Sequence, residues 1–545
     1  MVESQQPMNA VDTCPDIVDV LIVGAGFAGL FMLHDLREHG FTAKVVEASE
    51  GIGGTWYWNR YPGARCDVDS MQYSYSFSDE LQQEWNWSER FAAQPEILRY
   101  LNHVADKFEL RKDIMLSTRV ISAIFDETLL HWEIKTNRDE RLLAKFCVMA
   151  TGCLSVPKIP DIKGLDNFKG NIYSTSNWPH ENVDFTNRRV AVIGTGPSGV
   201  QCIPIITKQA AHVYVFQRTP NYCIPSNNGP LDPNEEQKWK TNYAQLRRDM
   251  MKTSGALLVD DTRNYPALSV TPKEREEVYE SAWKKGGNAF TLPFNDLYIN
   301  KEANETVSNF IKSKIRATVN DPTIAKLLSP NNHLFGIRRP CSGTDYYETF
   351  NRDNVTLVDL RYRGIDEIQT TGVRVGNKIH EVDDIVLALG FDAFTGALLN
   401  MDIHGRSGKT LREKWKKGWR TYLGLMIADF PNLFTISGPG APSDLANMVP
   451  HIEQHVRWIT KCLEYLRTHH IKTIEPTLEA ENTWFEHVND VVETTLFRTS
   501  KSIYNGANIP GKPRVFIPYV GGFDIYMDKC EKIANNDYEG FRLMK

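Results

Sequence analysis

Two stretches of the chain share one pattern: a short apolar run, a glycine-rich turn, then apolar residues at helical spacing. In the first, the run Asp19–Val23 enters the turn Gly24-Ala25-Gly26-Phe27-Ala28-Gly29. Leu30, Leu33 and Leu36 then mark one face of a helix, Gly40 ends it, and Thr42–Val46 reads as a second strand closing at Glu47. In the second, Arg189–Ile193 enters Gly194-Thr195-Gly196-Pro197-Ser198-Gly199. A helix is predicted from Val200 to about Ala210, and the strand Val213–Phe216 ends at Gln217-Arg218. Strand-length runs followed by helical spacing predict two βαβ units. Their internal spacing agrees, since Gly24 to Glu47 and Gly194 to Gln217 are both 23 positions.

Between about 223 and 334 the strand pattern gives way to charged helical stretches. Asp232-Pro233-Asn234-Glu235 and Thr271-Pro272-Lys273-Glu274 both read as helix starts, with an N-cap, proline in the first turn and glutamate three residues on. Strand signals return after Phe335, as in Asn354–Asp359 and Asp384–Leu389. The expected fold is α/β, with two Rossmann-like dinucleotide-binding domains, the second nested in the first, and a helical insertion. The predicted boundaries are 1–152 and 391–545 for the two parts of the first domain, 153–222 and 335–390 for those of the second, and 223–334 for the insertion.

Composition narrows the setting. The 545 residues are 41% hydrophobic and 24% charged, with a formal net charge of −6 and both signs mixed along the chain. That balance predicts no nucleic-acid or anionic-membrane partner. No run approaches the roughly 18 apolar residues of a membrane span. The N-terminal segment lacks the basic and apolar regions of a signal peptide, and the C-terminal FRLMK is no retention or peroxisomal address. Nine cysteines without a C-x-x-C predict neither a disulfide framework nor a zinc knuckle. A cytoplasmic monomer without metal is expected.

Each glycine turn follows a strand and opens a helix, the setting in which G-x-G-x-x-G holds a pyrophosphate. The first glycine makes the turn, the second lets backbone approach the phosphates, and the third lets helix pack on strand. The helix N-terminus supplies N–H groups and partial positive charge. The ends of the second strands distinguish the two sites. Glu47 can accept hydrogen bonds from a ribose 2′-OH and would repel a 2′-phosphate. The second unit has Gln217 there, with Arg218 and Thr219 next, and a guanidinium pairs bidentately with phosphate. The first site therefore suits FAD or NAD and the second NADPH. The apolar strands Val148–Gly152 and Leu387–Asp392, each broken by glycine, resemble crossovers between two such domains.

Two longer strings are more specific. GGTWYWNRYPGARCD (Gly53–Asp67) and FKGNIYSTSNWP (Phe168–Pro179) resemble the two fingerprints of the Baeyer–Villiger monooxygenase family. Similarity continues through Arg338-Arg339-Pro340, Tyr346–Phe350, Gly390-Phe391-Asp392, Gly438–Gly440 with Asn447-Met448, and Gly506–Lys512, so it spans nearly the whole chain. The resemblance implies FAD and NADPH as cofactors and a ketone and O2 as substrates. It also implies insertion of one oxygen atom beside the carbonyl through a flavin peroxide and a tetrahedral adduct. It places Arg339 as the catalytic arginine, Asp67 as the acid that holds it, and Arg338 at the 2′-phosphate. Gly54, Thr55, Trp56, Trp58, Asp67, Tyr73 and Met448 match flavin-binding positions, and Val120 one beside the adenine. A permanently protonated arginine works there by electrostatics, stabilising anions.

Two positions depart from that pattern. Ser174 replaces the second fingerprint's histidine, and Ile503 replaces a tryptophan of a mobile loop. Asp444 and Leu445 fall where the family lines its pocket, without defining the ketone. His451 and His455, four apart on a predicted helix, read as a packed face, and the mixed run Lys414–Arg420 as a solvated loop. Oxygenation at nitrogen or sulfur, an NADPH oxidase or pyridine-dithiol reductase, and a non-catalytic flavin module stay open as alternatives, although the missing C-x-x-C argues against the reductase. The Trp178-Pro179 ending argues against the first.

Overall fold

The computed structural model describes residues 17–259 and 262–545. Two parallel-centred sheets carry the architecture. The larger has eight strands, in the order Asp402–His404, Val120–Asp126, His131–Thr136, Arg141–Met149, Ile17–Val23, Ala43–Val46 and Ile114–Met115. Leu433–Thr435 pairs with Arg141–Met149. Ile17–Val23 lies between two parallel neighbours, and Leu21, Ile22 and Val20 are fully buried. Burial on both faces explains why this strand reads as a continuous apolar run.

The second sheet has five strands, Val355–Asp359, His212–Gln217, Arg189–Ile193, Asp384–Leu387 and Asn171–Ser174, all paired in parallel. The chain leaves the first sheet after Met149, builds the second, and returns to supply Asp402–His404 and Leu433–Thr435. The outgoing and returning segments meet in a bridge between Pro157 and Phe391.

Helices Pro233–Met251, Pro272–Lys285, Lys301–Thr318 and Pro322–Leu328 fill the intervening region. Thr271 and Glu274 form the full capping box. Asp232 caps through Asn234 N, whereas Glu235 pairs forward with Lys238 at 3.4 Å instead of back to the cap. Among the described residues one strand falls in this region. Cys223–Pro225 pairs in parallel with Cys341–Gly343, a partner 118 positions away and only three residues long.

Two further expectations are corrected. The second helix of dinucleotide type spans Pro197–Ile206, starting at the proline that suits a first turn and stopping short of Ala210. Lys414–Arg420 is no solvated loop: Trp415 and Trp419 are each 3% exposed, and Lys414 Nζ pairs with buried Glu481 at 2.8 Å. The indoles donate to Arg420 O and Phe516 O, which anchors the segment to the C-terminal part of the chain. His451 and His455 do pack within the helix Met448–Thr468, both fully buried.

The eight described cysteines are all buried and unpaired. Burial pushes the thiols of Cys147, Cys153, Cys202, Cys341 and Cys530 up to about 12, and raises those of Cys66, Cys223 and Cys462 as well.

Candidate active site

The first glycine loop lies at the C-terminal end of Ile17–Val23 and opens the helix Phe27–Glu38. Gly24 has φ +108°, and a Cβ there would stand 2.6 Å from Ala150 O. A Cβ on Gly29 would stand 1.8 Å from Gly24 O, so the third position is closed to any side chain by strand–helix packing. No side chain caps the helix. Gly54 (φ +54°) approaches Gly26, and Gly53 N donates to Ala25 O at 2.9 Å, bringing the two glycine segments together.

Gly54 in turn opens the short helix Thr55–Trp58. Trp56 Nε1 donates to Tyr73 OH at 3.2 Å, and Tyr73 stacks edge-on against Phe27, the first residue after the glycine loop's second glycine. Glu47 ends the second strand with its carboxylate accepting from Ala25 N (2.7 Å), Ser49 N (2.8 Å) and Ser49 Oγ (2.7 Å). Thr118 N donates to Glu47 O, which brings the start of the strand Val120–Asp126 alongside. Met448 begins the helix Met448–Thr468, capped by Asn447, whose amide also donates to Gln72 O at 2.8 Å. Thus Gly24, Gly26, Gly29, Glu47, Gly54, Thr55, Trp56, Trp58, Tyr73 and Val120 belong to one connected region.

At the second loop, Gly194 has φ +115°, and a Cβ on Gly199 would meet Gly194 O at 2.3 Å. A Cβ on Gly196 would meet nothing within 4 Å, which leaves open the space a pyrophosphate needs beside the helix N-terminus. Thr195 Oγ1 donates to Thr219 O at 3.3 Å, joining the loop to the end of the next strand. Ser198 sits in the first turn of Pro197–Ile206. Gln217 turns away: its amide donates to Leu327 O at 3.0 Å.

Arg218 is close enough to Arg338 and Lys158 to lower the pKa of both, after burial has done so. Arg338 Nη2 donates to Lys501 O at 2.8 Å, while its Nε is buried without a partner. Among the described residues no carboxylate pairs with these cations, and one carries an orphaned N–H, a chemistry that could hold an anion such as a 2′-phosphate. Lys158 was not anticipated. It is far from both glycine loops in sequence, and only the Pro157–Phe391 bridge brings it to this position.

Arg339 and Asp67, 272 positions apart, form a two-pronged pair. Nε donates to Oδ2 and Nη2 to Oδ1, both at 3.0 Å. Arg339 Nη1 donates to Asp444 O at 2.5 Å, and Asn288 Nδ2 to Asp67 O at 3.2 Å. Burial raises the Asp67 pKa, but the Arg339 charge and hydrogen bonds outweigh it and leave the carboxyl below its usual range. The Asp67 charge likewise raises the guanidinium's pKa against burial. Both side chains keep about a third of their surface, 34% and 32%, open to a cavity of about 230 Å³. Tyr298, Phe497, Tyr504, Leu445 and Phe523 are among its walls.

The departures have local explanations. Ser174 Oγ bonds Ser176 Oγ at 2.9 Å at the end of its strand, so the hydroxyl is satisfied within its own turn. Ile503 lies in the turn Ile503–Asn505, and Ser500 Oγ ties the segment before it to Ile337 O at 2.9 Å. His455 accepts from Ser437 N at 3.1 Å and shares a hydrogen bond with Tyr526, so its ring is engaged in packing.

Two glycine loops of dinucleotide type at parallel sheets, with a paired cation opening on a cavity, define a two-cofactor flavoprotein oxidoreductase. A family model described as pyridine nucleotide-disulphide oxidoreductase matches residues 18–234. The chain is 39% identical over 524 residues to a Baeyer-Villiger monooxygenase of Pseudooceanicola batsensis, covering 95% of both chains. It is 39% identical over 530 residues to the phenazine N-monooxygenase PhzNO1 of Lysobacter antibioticus, covering 96% of this chain and 97% of that one. A solved structure of an oxidized steroid monooxygenase bound to NADP shares 48% identity and superimposes with a TM-score of 0.93. The match covers 97% of this chain and all of that one. The chain belongs to the Baeyer–Villiger monooxygenase family, and its cofactors are FAD and NADPH.

Proposed function

We propose that this chain converts ketones to esters or lactones with NADPH and O2, using Arg339 as the catalytic cation and Asp67 as the group that holds it. FAD and NADPH, when bound, supply the activation of O2 and the hydride. The observation that carries the reading is the two-pronged Arg339–Asp67 pair opening on the cavity. Attack on a ketone carbonyl places negative charge on its oxygen. A guanidinium fixed by Asp67 and by Asp444 O meets that charge without reorganising, the arrangement that lowers such barriers most. Arginine stays protonated, so it moves no proton in this step. The aromatic and aliphatic walls would exclude water from the reacting atoms.

In the same reading the first glycine loop, Gly54–Trp58, Glu47, Tyr73, Val120 and Met448 hold FAD. The second loop with Ser198, Arg218, Thr219, Arg338 and Lys158 holds NADPH. No helix among the described residues is long and apolar enough to cross a membrane. Buried, unpaired cysteines suit the cytoplasm, and a monomer is proposed because the cavity is built from one chain.

Oxygenation at nitrogen is the second reading, because a relative of equal identity is named for it. Product identification decides between them. The holoenzyme is offered linear and cyclic ketones beside tertiary amines and N-heteroarenes, with NADPH. Esters or lactones from ketones are expected; N-oxides with no ester from any ketone would overturn the proposal.

A further inference from the structure

The cavity beside Arg339 contains a second acid that the proposed reaction leaves idle. Asp444 lies at the middle of the 3-10 turn Ser443–Leu445, where Ser443 adopts the left-handed φ of +51°. Its main chain is engaged, since Asp444 O accepts from Arg339. Its side chain is not. Oδ1 has no hydrogen-bond partner and almost no accessible surface, whereas the residue as a whole is only half-buried and lines the same cavity as Arg339. Arg339 does not serve it in this structure, because the hydrogen bonds its guanidinium makes go to the Asp67 carboxylate and to the Asp444 carbonyl, which leaves two further N–H groups for the cavity.

Among the described lining residues only Asp67, Arg339 and Asp444 are ionisable as acids or bases of ordinary range. Asp67 and Arg339 cancel, which leaves Asp444 as one uncompensated carboxylate among rings such as Tyr298, Phe497, Tyr504 and Phe523. A buried charge without a partner is costly. Burial accordingly pushes the Asp444 carboxyl up to about 6, with Arg339 pulling down and Asp67 adding repulsion. It is still mostly ionised at neutral pH. An acceptor kept unsatisfied on the wall of a substrate cavity is satisfied by whatever enters.

We propose that Asp444 is a specificity-determining residue that accepts a hydrogen bond from an O–H or N–H group carried by the ketone itself. The inference rests on the ketone-oxygenation reading above. The substrate then spans two poles: its carbonyl at the Arg339 guanidinium and its donor at the Asp444 carboxylate. Because Arg339 touches the Asp444 backbone, the poles are near one another, and the donor lies within a few bonds of the carbonyl. The aromatic walls take the hydrocarbon between and around them.

The test uses three ketones of one skeleton, with a hydroxyl, a primary amine or a methyl group at the same position. Turnover by the holoenzyme is measured as kcat and KM. Binding to the oxidised holoenzyme without NADPH is measured by calorimetry. Both donor-bearing ketones are expected to exceed the methyl analogue in kcat/KM and in affinity by roughly 10- to 100-fold, the range of one hydrogen bond to a charged acceptor. The gain should lie in KM, because the contact is made before reaction as well as during it. The ratio should collapse toward one in Asp444→Ala. If that variant does not fold, Asp444→Asn, which keeps the shape, should lose most of the preference for the amine. The groups facing Asp444 are Arg339, Asp67, Tyr504 and Cys153, none of which titrates near pH 6. The amine preference should therefore weaken as the pH falls through about 6. A wild-type ratio near one, or a ratio that survives both substitutions, overturns the proposal. Absence of ester from all three ketones would sink the oxygenation reading instead, and the calorimetric ratio would still decide the role of Asp444.

Discussion

At the scale of single residues, the centre is a charge held in place. Arg339 is held by Asp67 and Asp444 O and stays open to the cavity, so removing it changes electrostatics before architecture. Arg339→Ala is expected to keep FAD and to go on oxidising NADPH. Ester yield should fall at least ~100-fold, the scale of losing one preorganised oxyanion stabiliser, with oxygen returned as hydrogen peroxide. NADPH loss and ester yield on the same sample check this. Ester formed at near wild-type yield per NADPH would remove Arg339 from the centre. Arg339→Lys should rescue poorly, since an ammonium cannot reproduce the two parallel bonds to Asp67. Arg218 acts on the cofactor. Its neighbours Arg338 and Lys158 are also cationic, so the site is mismatched to the plain ribose of NADH. Arg218→Ala should lower the NADPH over NADH preference by roughly 10- to 100-fold, the value of one charge-assisted contact. Steady-state kinetics with both cofactors reads it directly, and an unchanged ratio would place the phosphate elsewhere.

At the scale of elements, the two glycine loops separate packing from binding. Gly199 has no room for a methyl group, whereas Gly196 faces open space. Gly199→Ala should therefore lower Tm. Gly196→Ala should leave Tm within about a degree yet raise KM for NADPH at least ~10-fold, because the methyl fills ground the pyrophosphate needs. Equal KM values for wild type and Gly196→Ala would show that the loop is not the phosphate cradle. These loops were legible in the sequence because their signal is local: a strand, three glycines and a helix within some 25 residues. The paired helix starts at Asp232 and Thr271 were legible for the same reason. What escaped was non-local. The strand Cys223–Pro225 is too short to show a period, and its partner lies over a hundred positions on. Lys414–Arg420 reads as a solvated surface until Glu481 arrives to bury Lys414. Lys158 depends on a bridge between crossover segments. The unpaired state of Asp444 could not be seen at all from the chain, since it is a statement about what Arg339 has already been given to hold.

At the scale of the whole molecule, the chain winds out of one sheet, builds a second and returns, so that segments from both halves line one cavity. Arg339 comes from beyond the helical region, Asp67 from the first third, and Tyr504 from near the end. The same closure buries every described cysteine. The thiolate is the form that peroxide oxidises, and burial holds these thiols far from ionising at neutral pH. A native sample treated with a thiol-reactive dye should label no more than Cys14, the one cysteine outside the described residues, and denaturant should release the rest. An enzyme that leaks oxidant whenever its cycle misfires endangers first the protein nearest the leak. Here the packing around the cavity also keeps the described thiols buried and protonated, the state least open to peroxide. Its working life in the presence of hydrogen peroxide should then be governed by how often it unfolds locally, and stabilising substitutions far from the cavity should lengthen that life without altering a single reacting group.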